Sequence, residues 1–276
     1  MGSFFSFLLT FVDVMKKKIF LYLILGMIGV VVAFVHYYSV NPCYKPANRM
    51  YGLTVCHHND DTLRIAYIGD SWAYHHQEIP TIMDSLITVD TSLPVLIRNA
   101  GIGGLVSKEI YYKLFEDKLF RDIIEWGPDF CFVSAGINDT NKKSGCSNYK
   151  ENMRIIISSL LDMNITPVIL EIPYYDIWYT FRQMNIITML RSVRSMIWTC
   201  SAMNCIDDYS NALEDLVEEQ QWQNDIIIVR RQYWNPLGYK GQKELYTKDR
   251  IHINQAGYHQ LDSCIASEIV TFLMKK

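Results

Sequence analysis

Five short apolar runs, each followed by a longer stretch of helical character, constrain this chain more than any other feature. The runs are 63–69, 94–99, 129–135, 166–172 and 225–230. Val, Ile and Phe dominate them. They are continuous rather than alternating, which is the pattern of parallel strands buried on both faces. Helical stretches lie between and after them at 77–88, 105–125, 148–163, 182–201, 209–222 and 254–274, the last introduced by Asn254 as N-cap. This alternation predicts βαβ units and one domain whose parallel sheet is covered on both faces. Half the residues are hydrophobic and 20% are charged, which excludes a disordered or fibrous chain. A net charge of −3 leaves no basic footprint, so no nucleic-acid partner is expected.

The first 62 residues have a different character. Ile19 to Val35 is an uninterrupted apolar run of 17 residues, preceded by Lys16, Lys17 and Lys18 and followed by Tyr37 and Tyr38. Such a run with an aromatic edge is just long enough to span a bilayer. The lysine triplet places residues 1–18 in the cytoplasm and everything beyond about 40 outside. The expected division is a cytoplasmic tail 1–18, a transmembrane signal anchor 19–38, a linker 39–62 and a folded domain 63–276. The domain then sits on the extracytoplasmic side of the cytoplasmic membrane, held by a single pass. A cleaved signal peptide is the competing reading, although no small-x-small cleavage site follows Val35. The apolar residues 3–12 are too short to span and suit the interface.

Seven cysteines are present, and outside the cytoplasm disulfides are possible. Cys43 with Cys56, and Cys200 with Cys205, are the candidate pairs. Cys131 lies in an apolar run and reads as a buried thiol. His57-His58 and His75-His76 are neighbours in sequence, an arrangement poorly suited to a shared metal.

Four segments carry chemistry. Gly69-Asp70-Ser71 ends the first run and sets a hydroxyl on a tight turn at the sheet edge, where open α/β folds hold ligands. Arg98-Asn99-Ala100-Gly101-Ile102-Gly103-Gly104 follows the second run, and its glycines let backbone amides approach a ligand closely. Ser134-Ala135-Gly136-Ile137-Asn138-Asp139 follows the third, offering the Asn138 amide. Asp249-Arg250-Ile251-His252 precedes the last helix, a spacing that lets a carboxylate reach the imidazole Nδ1. Taken singly, each of these also reads as an ordinary turn.

In this order the four segments resemble the blocks of the SGNH/GDSL hydrolase superfamily, over about residues 63–273. The resemblance implies a flavodoxin-like three-layer α/β sandwich with a five-stranded parallel sheet, here preceded by one transmembrane helix. It implies Ser71 as nucleophile, His252 as general base and Asp249 as the group that orients His252. It implies an oxyanion hole from the Ser71 and Gly104 backbone N–H groups and the Asn138 side chain, with no metal or other cofactor. The chain departs from the family pattern in having Trp72 where a Leu often follows the serine, and in having Gly101 and Gly103. Trp72, Tyr74 and Trp234 are candidate pocket residues, with Trp234 in the aromatic segment Tyr233–Tyr239.

The expected activity is therefore hydrolysis of O-acyl esters, with O-acetyl groups on a polysaccharide as the best single substrate and an acylated small molecule as the other class. An O-acyltransferase using the same triad is the first alternative. A non-catalytic glycan-binding protein on the same fold is the second.

Overall fold

The computed structural model describes residues 2–39, 53–79 and 81–275, with side chains over 15–33 in the first of these segments. The chain divides into two compact units, Met1–Ala47 and Asn48–Lys276. The first contains helix α1, Gly2–Ser39. Its described apolar side chains, from Ile19 to Val32, are mostly exposed. Among the described residues no helix is long and apolar enough to cross a membrane. The span expected over 19–38 runs past residue 33, where the described side chains of α1 end.

The second unit begins β1 (Leu63–Gly69), α2 (Ser71–His76), α3 (Met83–Thr91), β2 (Val95–Gly101), α4 (Ser107–Glu116), α5 (Lys118–Glu125) and β3 (Phe130–Ser134). It continues α6 (Ile137–Lys142), α7 (Cys146–Asp162), β4 (Thr166–Leu170), α8 (Ile177–Gln183), α9 (Ile186–Thr199), α10 (Ile206–Glu219) and β5 (Ile227–Val229). Two short helices, α11 (Arg231–Trp234) and α12 (Gly238–Gly241), lead to the long α13 (Gln255–Lys275).

Every strand pair is parallel, and the order is β2-β1-β3-β4-β5. This is the flavodoxin-like order. The direction of winding reverses at β1, which has β2 on one side and β3 on the other. The crevice outside the carboxyl ends of β1 and β3 is thus the switch point at which open sheets bind ligands. α4, α7 and α10 pack as one group and α3 packs with α13. Right-handed crossovers leaving the switch point in opposite directions put these two groups on opposite faces.

The strands at the switch point are deeply buried. Ile65, Ala66, Tyr67 and Ile68 of β1 are fully buried, and β3 is buried at every position. The edge strand β2 is different: Leu96 and Arg98 are exposed and alternate with half-buried neighbours. Among the described residues all of the buried core lies at Leu63 or beyond, with Leu53 and Val55 packed against it. Unit Asn48–Lys276 therefore has a hydrophobic core of its own, which is what a domain needs to fold independently.

Several helices differ from the sequence expectation. The stretch 105–125 is two helices, because Asp117 takes an extended conformation and its carboxylate accepts from Leu119 N at 2.9 Å, capping α5. The stretch 182–201 is also divided, between α8 and α9, where Asn185 accepts from Thr188 N and starts the second. The helix expected over 77–88 begins only at Met83, as α3, after the turn that follows α2. Cys200 and Cys205 do not pair. Cys200 is exposed and Cys205 is buried, its Sγ 3.4 Å from Lys143 Nζ. Cys43 lies outside the described residues.

Candidate active site

The turn after β1 is built to hold Ser71 in one orientation. Gly69 has φ +142°, and a Cβ there would lie 2.3 Å from the Ser134 carbonyl oxygen on β3. Only glycine fits so close an approach. The backbone bond from Asp70 N to Ser134 O, 3.0 Å, is the reason the two strands come so near. Asp70 then caps α2: its Oδ1 accepts from Trp72 N at 3.0 Å and from Ser134 Oγ at 2.7 Å. Asp70 is fully buried, and burial raises its pKa to about 7. Ser71 is the first residue of the helix, so its N–H has no acceptor within it.

The partner loop arrives from the far end of the chain. Thr247 N donates to His252 O at 2.8 Å and Arg250 N to Thr247 O at 3.1 Å, closing a tight turn in which Arg250 has φ +62°. The turn folds Asp249 back over its own backbone. Asp249 Oδ1 accepts from Thr247 Oγ1 at 2.6 Å and from the N–H groups of Ile251 and His252, both at 3.0 Å. Its Oδ2 lies 2.6 Å from His252 Nδ1. Partial burial pushes the Asp249 pKa up, but the bonds from Thr247, His252 and Ile251 outweigh it and hold the carboxyl down at about 2. An ionised Asp249 keeps the imidazole proton on Nδ1. Nε2 is left to accept from Ser71 Oγ, 2.7 Å away.

The loops after β2 and β3 adjoin the Ser71 turn. Ile102 N donates to Gly69 O at 3.0 Å, tying the loop after β2 to the Ser71 turn. Asn99 Nδ2 donates to Ala73 O at 2.7 Å, and a Cβ on Gly101 would lie 2.1 Å from Tyr74 N. Asn138, in the first turn of α6, donates from Nδ2 to Leu105 O at 3.0 Å, and Lys142 Nζ donates to Gly104 O at 3.0 Å. Asn138 and Gly104 are thereby drawn together, and the Gly104 N–H makes no hydrogen bond among the described residues. Below them, buried Asp139 accepts from both Ser107 N and Ser107 Oγ at 2.7 Å. Burial raises its pKa to about 6.

Two predicted pocket residues are corrected. Trp72 and Trp234 are not pocket walls: both are buried and meet edge to face with ring centroids 5.8 Å apart. Helix α2 turns Trp72, Ala73 and His76 inward, which leaves Ser71, Tyr74 and His75 on the outer side. Tyr74 is 38% exposed and stays available to a ligand.

Other groups near the site have no counterpart in the sequence reading. His76 Nε2 donates to the fully buried Asp262 Oδ1 at 2.6 Å, and Asp262 Oδ2 accepts from Thr81 Oγ1 and Ile82 N. This bolts the end of α2 to α13. His75 meets the His252 ring edge to face at 4.8 Å, with its own Nδ1 on Glu78 Oε2 at 3.0 Å. The contacts join residues far apart in sequence and leave no local pattern, apart from the His75–Glu78 spacing.

No protein-family model matches the sequence, and no curated protein matches it. Solved structures do match in fold. The lipase/acylhydrolase from Enterococcus faecalis is 18% identical with a TM-score of 0.52, covering 76% of this chain and 96% of that one. Axe2, an acetylxylan esterase from Geobacillus stearothermophilus, is 16% identical with a TM-score of 0.51, covering 79% of this chain and 95% of that one. These likenesses show that the domain has the fold implied by the SGNH/GDSL resemblance.

Proposed function

We propose that this protein is a serine ester hydrolase, with Ser71, His252 and Asp249 as its catalytic residues. The continuous hydrogen-bonded path from Ser71 Oγ through the His252 ring to Asp249 carries this reading. A serine hydroxyl is a weak nucleophile until a base shares its proton. His252 Nε2 takes that proton as Ser71 Oγ attacks the ester carbonyl carbon. Asp249, ionised, stabilises the imidazolium that forms. Negative charge develops on the former carbonyl oxygen. The Ser71 and Gly104 N–H groups and the second Asn138 Nδ2–H serve as its donors. The alcohol leaves with the proton from His252. Water then attacks the acyl-serine, giving one proton to His252, and His252 passes that proton to Ser71 Oγ as the acyl–oxygen bond breaks and the acid leaves.

The substrate we favour is an O-acetyl group on a polysaccharide. The support is the shared fold with an acetylxylan esterase and the open side of Ser71, where the exposed Tyr74 and Gly103 leave room for a large alcohol. We also assign residues 19–38 as a membrane anchor, with the domain on the extracytoplasmic side, on the strength of Lys16–Lys18 and the apolar run that follows.

The test is acetate release from a panel of acetylated glycans by unit Asn48–Lys276, with and without an acceptor sugar. Hydrolysis predicts free acetate in both arms. Acetate appearing on the acceptor instead reassigns the site to acyl transfer, and no turnover of any ester overturns the enzyme. Protease added to intact cells tests the orientation: digestion of the domain is expected, and full protection contradicts it.

A further inference from the structure

Helix α9 is amphipathic in the wrong direction for a soluble domain. Its polar face points inward: Ser192 Oγ donates to Asn141 O at 3.4 Å and Ser195 Oγ to Lys143 O at 2.6 Å, at the end of α6. Its apolar residues point outward. Ile186, Leu190, Val193 and Ile197 recur at the spacing of one helical stripe, and they are 68%, 61%, 38% and 70% exposed. A helix that covers a core shows the reverse arrangement.

The charges beside the stripe indicate what covers it. Between Asp176 and Asp207 the chain has no acidic residue and carries Arg182, Arg191 and Arg194, although the protein as a whole is at −3. Arg191 and Arg194 are exposed and make no ion pair among the described residues. An apolar stripe flanked by unpaired arginines is the make-up of a helix that lies in the surface of an anionic bilayer. A second copy of the chain fits less well, because pairing through the stripe brings the arginines of both copies together with no carboxylate in the segment.

We propose that the outer face of α9 is a peripheral docking surface for anionic phospholipid. The apolar stripe enters the acyl boundary, and Arg191 and Arg194 meet phosphate headgroups. Because α9 is fastened to the end of α6, whose first turn carries Asn138, the contact holds the catalytic domain at the bilayer in a defined orientation. The proposal is independent of the N-terminal anchor and of the esterase reading. A tether through α1 would raise the effective concentration of the docking face, so modest intrinsic affinity suffices.

The experiment uses unit Asn48–Lys276, so that α1 contributes nothing. Co-flotation is measured with vesicles of phosphatidylglycerol and phosphatidylcholine in equal parts, and with phosphatidylcholine alone. Binding is expected to the anionic vesicles only, and to weaken with added salt. The double variant Leu190→Glu/Ile197→Glu is expected to lose it. Arg191→Gln/Arg194→Gln is expected to weaken it about thirtyfold. Far-UV circular dichroism checks the fold of each variant, and p-nitrophenyl acetate hydrolysis in solution reports separately on the active site. Equal flotation with both vesicle types overturns the proposal, as does full binding by the glutamate variant. A dimer seen by light scattering and dissolved by Leu190→Glu would assign the face to a second copy instead.

Discussion

Ser71 Oγ and His252 Nε2 lie 2.7 Å apart, although 181 residues separate them in the chain. One sits at the first turn of a helix after β1, the other in a loop just before α13. In the proposed mechanism a separation this short, with Asp249 on the far side of the ring, arms Ser71. Replacing Ser71 with Ala is expected to lower p-nitrophenyl acetate turnover by about 10⁶, to background. The near-UV and far-UV circular dichroism should be unchanged, because Asp70 still caps α2. Wild-type turnover in Ser71→Ala would sink the mechanism.

In the proposed mechanism Asp249 works through His252 rather than on substrate. Its four hydrogen bonds keep it ionised and keep the ring proton on Nδ1. Asp249→Asn replaces an obligate acceptor with a group that can donate to Nδ1 and select the wrong tautomer. The expected result is a loss of about 10⁴ in kcat with little change in KM. A loss confined to KM would show that the residue binds substrate instead.

The oxyanion assignment has a measurable size. Asn138 spends one N–H on Leu105 O and has one left. Asn138→Ala is expected to reduce kcat by about 10²–10³ and leave KM nearly unchanged. Steady-state kinetics on one activated ester decides the matter. A rate within twofold of wild type would remove Asn138 from the site.

The convergence of Ser71, His252 and Asp249 was legible because each lies in a short segment whose local spacing has chemical meaning. Asp249 and His252 are three apart, and Ser71 ends an apolar run. The parallel sheet was legible for a similar reason, since β1 and β3 are apolar at nearly every position. Burial of Trp72 and Trp234 was not legible. A helix of six residues such as α2 has no periodicity to show which side faces the core, and tertiary packing decides it. The His76–Asp262 bond spans 186 residues, so neither sequence neighbourhood announces it. The breaks at Asp117 and Asn185 are capping events, which override a helical pattern that otherwise continues.

Gly69 is expected to be intolerant of any side chain. Its φ of +142° strains an L residue, and a Cβ would strike backbone of β3 at 2.3 Å, where nothing flexible can yield. Gly69→Ala should cost about 2–4 kcal/mol in urea unfolding and displace Ser71 enough to lower activity. Gly103 is the control: a Cβ there meets nothing within 4 Å. Gly103→Ala should stay within about 0.5 kcal/mol of wild type. Equal effects of the two substitutions would mean that the close approach of β1 and β3 is not what constrains the turn.

Asp70 makes the fold sensitive to pH in a direction opposite to most carboxylates. Burial raises its pKa to about 7 in the folded protein, whereas an unfolded chain ionises it near 4. Below about pH 4 both states hold the proton. Between about pH 4 and pH 7 the folded state holds it and the unfolded state does not, so unfolding releases a proton and stability falls as pH rises. Asp139, raised to about 6 by burial, acts in the same sense. Asp249, held at about 2, acts in the opposite sense, but only below that window. Asp70→Asn mimics the protonated carboxyl and still accepts from Trp72 N and Ser134 Oγ through its amide oxygen. It should flatten the decline in unfolding free energy between pH 5 and pH 7 by about 1.4 kcal/mol per pH unit. Urea titrations at pH 5, 6 and 7 measure the slope. An identical slope in wild type and Asp70→Asn would show that Asp70 ionises in the folded protein as readily as in the unfolded one.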